Sequence, residues 1–267
     1  MALYDLGGSG PTLLLAHATG FCGQVMAPLA RHLTSAFHCL ALDFRGHGES
    51  QTPVATDLRW SGLADDVIAA AAACGGDDAP VFALGHSSGG AAVVMAAARR
   101  AELFRSLFCF EPVLWPDPGA AVRRAEKLAE GARRRRASFA SRDEAFANYA
   151  SKPPFAWMDE RVLRAYVEHG FVEADDPAVT LRCAPEVEAE IYLNGATNDG
   201  FSDLSRVGCP VVIARGTERG ALERDIAEAQ VAALANATLE DFDGLSHFGP
   251  LEDPARVAAK VVRDLGP

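Results

Sequence analysis

Hydrophobic residues along the chain gather into short runs, separated by polar turns and by longer stretches of helical period. Residues 11–16, 39–43, 81–84, 107–110, 211–214 and 238–242 read as strands, most of them apolar on both faces. Between them, residues 24–35, 60–73, 88–100, 223–235 and 254–265 carry the period of half-buried helices. Strands alternating with helices predict an α/β fold built on a mostly parallel, doubly wound sheet. The alternation stops after Glu111 and Pro112. Pro116, Pro118, Pro153 and Pro154 then cut the chain into helical pieces at 120–136, 143–150, 159–168 and 185–193. Residues 112–205 are therefore expected to form a helical cap inserted after the strand ending at Glu111. Residues 1–111 and 206–267 supply the core domain.

Composition narrows the partners. A chain of 267 residues, 49% hydrophobic, can bury one core and an insertion. A net charge of −11 argues against nucleic acid or an anionic membrane as a partner. The first residues lack a basic stretch followed by a long apolar run, and no segment has the uninterrupted apolar length of a membrane span. The expectation is a cytoplasmic protein, monomer or homodimer. The six cysteines are scattered, with no C-x-x-C pair and no metal-ligand spacing. They read as reduced core thiols, so no metal and no cofactor is expected.

One stretch carries chemistry. Gly85-His86-Ser87-Ser88-Gly89 fits G-x-S-x-G and lies between a strand and a helix, the setting that pattern needs. Ser87 there must occupy a tight turn, where side chains at Gly85 or Gly89 would meet neighbouring backbone. The helix N-terminus beneath it favours developing negative charge. A serine hydroxyl is a weak nucleophile until a base takes its proton. Among seven histidines, His247 follows the last strand in a glycine-bounded loop and is the candidate base. The chain order Ser…Asp/Glu…His puts an orienting carboxylate between residues 88 and 246. Two positions at C-terminal strand ends compete for that role. Glu111 sits between an apolar strand and Pro112, where a charge needs a partner. Glu218, beside Arg219 and Gly220, reads more as a solvated loop and is the alternative acid.

These residues resemble the α/β-hydrolase superfamily in its lid-bearing form, over nearly the whole chain. Asp43-Phe44-Arg45-Gly46-His47-Gly48-Glu49-Ser50 is similar to its Asp-x-Arg-Gly-x-Gly-x-Ser loop, the most specific match. His17-Ala18-Thr19-Gly20 resembles its His-Gly-x-Pro loop, with Ala18 and Gly20 as departures. Gly-His-Ser-x-Gly-Gly and a late Gly-x-x-His complete the set. The resemblance implies the α/β-hydrolase fold and an oxyanion hole made of backbone N–H groups. One would come from Ser88 and one from Thr19, with Phe21 as the alternative. Haloalkane dehalogenases of this superfamily carry their acid after the strand following the nucleophile, at a separation similar to that of Ser87 and Glu111. The commoner position falls here on Arg219. Dehalogenases and epoxide hydrolases of this fold use an aspartate nucleophile, so Ser87 argues against both activities.

The expected activity is hydrolysis of a carboxylic ester or thioester of a small, largely apolar substrate through an acyl-enzyme. C–C bond hydrolysis, lactone opening, acyl transfer and perhydrolysis on the same triad remain alternatives, as does a receptor of this fold without turnover. His17, Arg45 and His47 read as loop organisers, and His86 as packed behind the serine turn. The basic run Arg133-Arg134-Arg135-Arg136 reads as a solvated face near Glu126, Glu130, Asp143 and Glu144, with anion binding as the alternative. Aromatic residues in the 112–205 segment are expected to form its own core and an apolar pocket.

Overall fold

Alternate residues of the central strands pack on opposite faces of the sheet, so both faces carry a core. Leu13, Leu15, Phe82, Leu84, Phe108 and Phe110 fill one side; Leu14, Ala16, Ala83, Leu107, Cys109 and Ile213 fill the other. That double burial is why the strands read as continuous apolar runs. The computed structural model describes residues 1–50, 56–75, 79–174 and 178–266.

The strands of the main sheet are β1 (Ala2–Asp5), β2 (Thr12–Ala16), β3 (His38–Asp43), β4 (Val81–His86) and β5 (Phe104–Phe110). After the inserted segment come β9 (Val211–Gly216) and β10 (Ala237–Phe242), and the spatial order is β1-β3-β2-β4-β5-β9-β10. All neighbours run parallel except β1, which pairs antiparallel with β3 at the edge. Helices α1 (Ala27–Ala30), α2 (Trp60–Gly75), α3 (Ser88–Arg99), α9 (Arg224–Ala233), α10 (Gly249–Glu252) and α11 (Pro254–Leu265) belong to the sheet domain. The insertion between β5 and β9 holds α4 (Pro118–Arg133), α5 (Arg142–Ala150), α6 (Glu160–His169), α7 (Pro185–Gly195) and α8 (Gly200–Asp203).

Three differences from the sequence expectation have local causes. Residues 24–35 form a 3₁₀ turn at Gly23–Met26, the single turn α1, and then a mixture of i−3 and i−4 hydrogen bonds. Pro28 has no N–H to continue an α-helix, so the segment tightens, yet Val25, Met26, Leu29 and Leu33 remain buried as the period requires. The insertion is not wholly helical. It contains an antiparallel sheet of β6 (Ser138–Phe139), β7 (Phe171–Glu173) and β8 (Val179–Leu181), ordered β6-β8-β7, whose strands are too short to show alternation. The third is the edge strand β1, half exposed and four residues long.

Helix α3 explains its own composition. Its residues from Ser88 through Ala98 are buried, because the helix lies between the sheet, α2 and α8. Alanine and glycine there let three layers approach closely.

In the 43–50 loop, Asp43, Arg45 and Gly48 each have a structural task. Asp43 is fully buried and accepts hydrogen bonds from Tyr4 Oη at 2.6 Å, Gly23 N–H at 2.6 Å and Glu49 N–H at 2.7 Å. Arg45 forks onto Asp66 at 2.8 and 3.0 Å. A Cβ on Gly48, whose φ is +50°, would lie 2.0 Å from Asp43 Oδ2. Among the described residues no helix is long and apolar enough to cross a membrane.

Replacing Asp43 by Asn turns one acceptor oxygen into a donor that faces N–H groups, leaving a buried donor unpaired. We expect Asp43→Asn to lose about 2 kcal/mol of unfolding free energy in urea with an unchanged slope. An unchanged midpoint would show that the loop does not depend on this carboxylate.

Candidate active site

The serine turn is built by exclusion. Ser87 sits between β4 and α3 at φ 57° and ψ −118°, a conformation that costs a non-glycine residue of the order of 1–3 kcal/mol. A Cβ on Gly85 would lie 2.5 Å from Gly90 Cα, and one on Gly89 would lie 2.4 Å from the Ala16 carbonyl oxygen. Only glycine lets α3 descend this close to β2 and β4. The backbone of Ser87 is locked as well: its N–H donates to Phe110 O at 2.9 Å, and its carbonyl accepts from Ala91 N–H at 3.0 Å.

His247 reaches the serine from the loop between β10 and α10. Its Nε2 lies 3.0 Å from Ser87 Oγ and its Nδ1 lies 2.6 Å from Glu111 Oε2. A carboxylate only accepts, so Nδ1 carries the hydrogen and Nε2 is left to accept from the hydroxyl. The structure brings Glu111 to the imidazole, and not Glu218. Glu111 is fully buried at φ 47°; its Oε1 accepts from Gly216 N–H and its Oε2 from Leu222 N–H, both at 2.8 Å. Glu218 lies on an exposed turn after β9, its N–H bonded to Leu245 O at 2.9 Å.

Three further residues hold this arrangement, and of them the sequence singled out only His86, as packed behind the serine turn. Glu252 on α10 accepts from Ser246 N–H at 3.0 Å and from the Ser246 hydroxyl, fixing the loop one residue before the imidazole. His86 donates from Nε2 to the His247 carbonyl at 2.8 Å. Gln230 on α9 donates to the Pro112 and Leu114 carbonyls at 2.9 and 2.8 Å, pinning the chain just after Glu111. The partners of His86 and Gln230 lie far away in sequence, and Glu252 meets Ser246 only because the loop folds back, so spacing alone could not have found these bonds.

Of the expected oxyanion donors, Thr19 and Ser88 lie together in the pocket wall. Thr19 N–H donates to Ser88 Oγ at 2.8 Å, and the Thr19 hydroxyl donates to the same oxygen at 2.9 Å. Ser88 opens helix α3, where an N–H has no intrahelical acceptor. Phe21 N–H is turned away, donating to Ala18 O at 3.2 Å. Gly20, at φ 82°, lets this loop pass under the insertion, because a Cβ there would lie 2.7 Å from Glu188 Oε1 on α7.

A pocket of about 230 Å³ opens over Ser87 and His247. Phe21 and Phe248 line it from the core, Trp60 from α2, and Trp115, Leu128 and Tyr192 from the insertion. Helices α4 and α7 pack against each other through Ala129, Ala132 and Ala189 to form that side. The basic run divides. Arg133, Arg134 and Arg136 pair at the surface with Glu186, Glu130 and Glu144, whereas Arg135 is half-buried against Glu188, Tyr149 and Tyr166. Among the described residues, no group of three or more His, Cys, Asp or Glu side chains is arranged to hold a metal.

Comparison with known proteins follows the same lines. A profile described as the Alpha/beta hydrolase family matches residues 13–260. The structure of E-2-(acetamidomethylene)succinate hydrolase superposes with a TM-score of 0.86 at 21% identity, covering 99% of this chain and 94% of that one. The peroxisomal alpha-beta-hydrolase Lpx1 from Saccharomyces cerevisiae gives 0.82 at 19% identity, over 98% and 79% of the two chains. At these identities the likeness speaks for the fold. Protein phosphatase methylesterase 1 of Mus musculus is 35% identical over 87 residues, which are 32% of this chain and 22% of that protein.

Three histidines around the site are held neutral by burial. His47 accepts Gly20 N–H on Nε2 at 2.9 Å, and His17 accepts Phe44 N–H on Nε2 at 3.2 Å, so the two tie the 17–21 loop to the 43–50 loop. Protonation would turn each acceptor into a donor facing a donor. Desolvation pushes His47 and His86 down from 6.5 to about 3, and His17 downward likewise. The unfolded chain takes up protons below about pH 6.5 while the folded one does not. This stability is therefore complete above that pH and is lost as pH falls towards 3. Calorimetric melting between pH 7 and pH 4 should show the midpoint falling by several degrees, with a shallower fall in His47→Gln. A midpoint that holds or rises in acid would remove these histidines from the account.

Proposed function

The chain belongs to the alpha/beta hydrolase family, and on that premise we propose that it is a serine hydrolase cleaving a carboxylic ester or thioester of a small substrate. The observation that carries this is one continuous hydrogen-bonded line, from Ser87 Oγ through the His247 ring to Glu111, opening into a pocket. The geometry supports the following course of reaction. Ser87 Oγ attacks the acyl carbon as its proton passes to His247 Nε2, and the imidazolium so formed is stabilised by the Glu111 carboxylate. Negative charge collects on the former carbonyl oxygen. The N–H groups of Ser88 and Thr19 receive it, with the Ser88 hydroxyl turning aside from Thr19 as the substrate oxygen takes its place. Helix α3, twelve residues long, points its N-terminus at the same spot.

Collapse of the tetrahedral species expels the alcohol or thiol, which leaves with the proton from His247. Water then enters, gives its proton to His247, and attacks the acyl-enzyme; Ser87 leaves as the free hydroxyl and the acid is released. Residues 112–205 act in this reading as the lid, supplying aromatic walls that keep bulk water from the acyl group. The apolar lining and modest volume favour a short acyl chain.

A fluorophosphonate should form an adduct mapping to Ser87. Turnover of p-nitrophenyl acetate should fall at least about a thousandfold in Ser87→Ala and His247→Ala. Glu111→Gln should lose about 10²–10⁴ in kcat, because the amide favours the wrong tautomer, whereas Glu218→Gln should stay within about twofold. Absence of the adduct, or equal losses in the two glutamate variants, would refute the assignment.

A further inference from the structure

Most arginines in this acidic chain sit against a carboxylate; the two that reach into the serine pocket do not. Arg124 projects from α4 and Arg219 from the turn after β9, and both line the pocket over Ser87 and His247. Among the described residues neither guanidinium has an ion-pair or hydrogen-bond partner. Each is instead laid on a tryptophan face from the insertion. Arg124 Cζ lies 5.2 Å from the centroid of Trp115, and Arg219 Cζ lies 4.6 Å from that of Trp157. Such stacking fixes the plane of a guanidinium while leaving its N–H edge without an acceptor.

Among the described residues the pocket lining contains no Asp or Glu. In the broader cleft that adjoins it, Lys127 adds a further cation, and the one carboxylate among the described residues, Glu188, is already paired with Arg135. Arg219 also adopts φ 38°, a left-handed conformation that an L-residue other than glycine seldom takes. A strained backbone holding an unpaired cation at the mouth of an otherwise apolar pocket is hard to explain as packing alone.

We infer that Arg124 and Arg219 form a subsite for a carboxylate carried by the substrate, away from its scissile ester. The natural substrate class is then a half-ester or half-thioester of a short dicarboxylic acid. This assignment rests on the serine hydrolase reading. The carboxylate would meet the guanidinium edges while the ester carbonyl lies over Ser87, so the charge sets which end of the molecule is cut.

The test compares three substrates of matched chain length: a dicarboxylic acid half-ester, its neutral methyl diester, and an analogue with a phosphate in place of the free carboxylate. The wild type should favour the half-ester over the diester at least about tenfold in kcat/KM, and the preference should shrink as salt is raised. In Arg124→Ala and in Arg219→Ala that ratio should fall towards one, mainly through KM. Arg219→Glu should reverse it, favouring an ester that ends in an ammonium group. Binding of the half-ester to Ser87→Ala, measured calorimetrically, should weaken about tenfold when either arginine is also removed, a readout independent of turnover. Equal use of half-ester and diester by the wild type would overturn the subsite while leaving the hydrolase standing. A stronger preference for the phosphate analogue would overturn the carboxylate assignment. Failure to cleave any of the three, with no fluorophosphonate adduct, would instead remove the underlying reading.

Discussion

A single buried carboxylate joins the parts of the site. Glu111 has no solvent contact, and its charge is met by two backbone N–H groups and one imidazole. An ionised carboxylate in such a place is tolerable only when it is fully hydrogen-bonded. The requirement works in both directions. The turn after β9 must present Gly216 and Leu222, the loop after β10 must present His247, and the chain leaving β5 must bend to aim the side chain at both. Three separate crossings of the sheet are thereby registered at one edge.

The rest of the sheet domain serves that registration. Continuous apolar strands need cover on both faces, and the helices that give it leave the C-terminal strand ends as the place where loops converge. The serine turn can form because α3 is built of small residues and can sink between β2 and β4. His17, His47 and Asp43 then bind the neighbouring loops to one another, and Arg45 ties the 43–50 loop to α2 through Asp66.

Much of this was legible in the sequence, for identifiable reasons. G-x-S-x-G is a local pattern whose glycines are demanded by contacts within a few residues, so it announces itself. Glu111 could be preferred to Glu218 because a charge between an apolar strand and a proline implies burial, and the structure brings that residue to His247. What could not be read is what depends on side-chain direction or on distant partners: Glu252 turning back to clamp Ser246, Arg124 lying over Trp115, Gln230 reaching Pro112, and Arg219 meeting Trp157. The short strands of the insertion escaped because two or three residues cannot display a period. The basic run drew notice by its density, yet three of its four members pair with surface carboxylates, whereas the cations that enter the pocket are Arg124, one of a pair with Arg123, and the isolated Arg219.

The way Glu111 is held has a consequence for how such a site can change. Its oxygens rest on the N–H groups of Gly216 and Leu222, so the cradle for the negative charge belongs to β9 and its turn, while the side chain itself hangs from β5. What the imidazole reads is a point in space, indifferent to the strand that reaches it. Both N–H groups are taken by Glu111, so an acidic residue arising on the β9 turn would have to displace that side chain, and a shift of the turn alone would move the carboxylate that the imidazole meets.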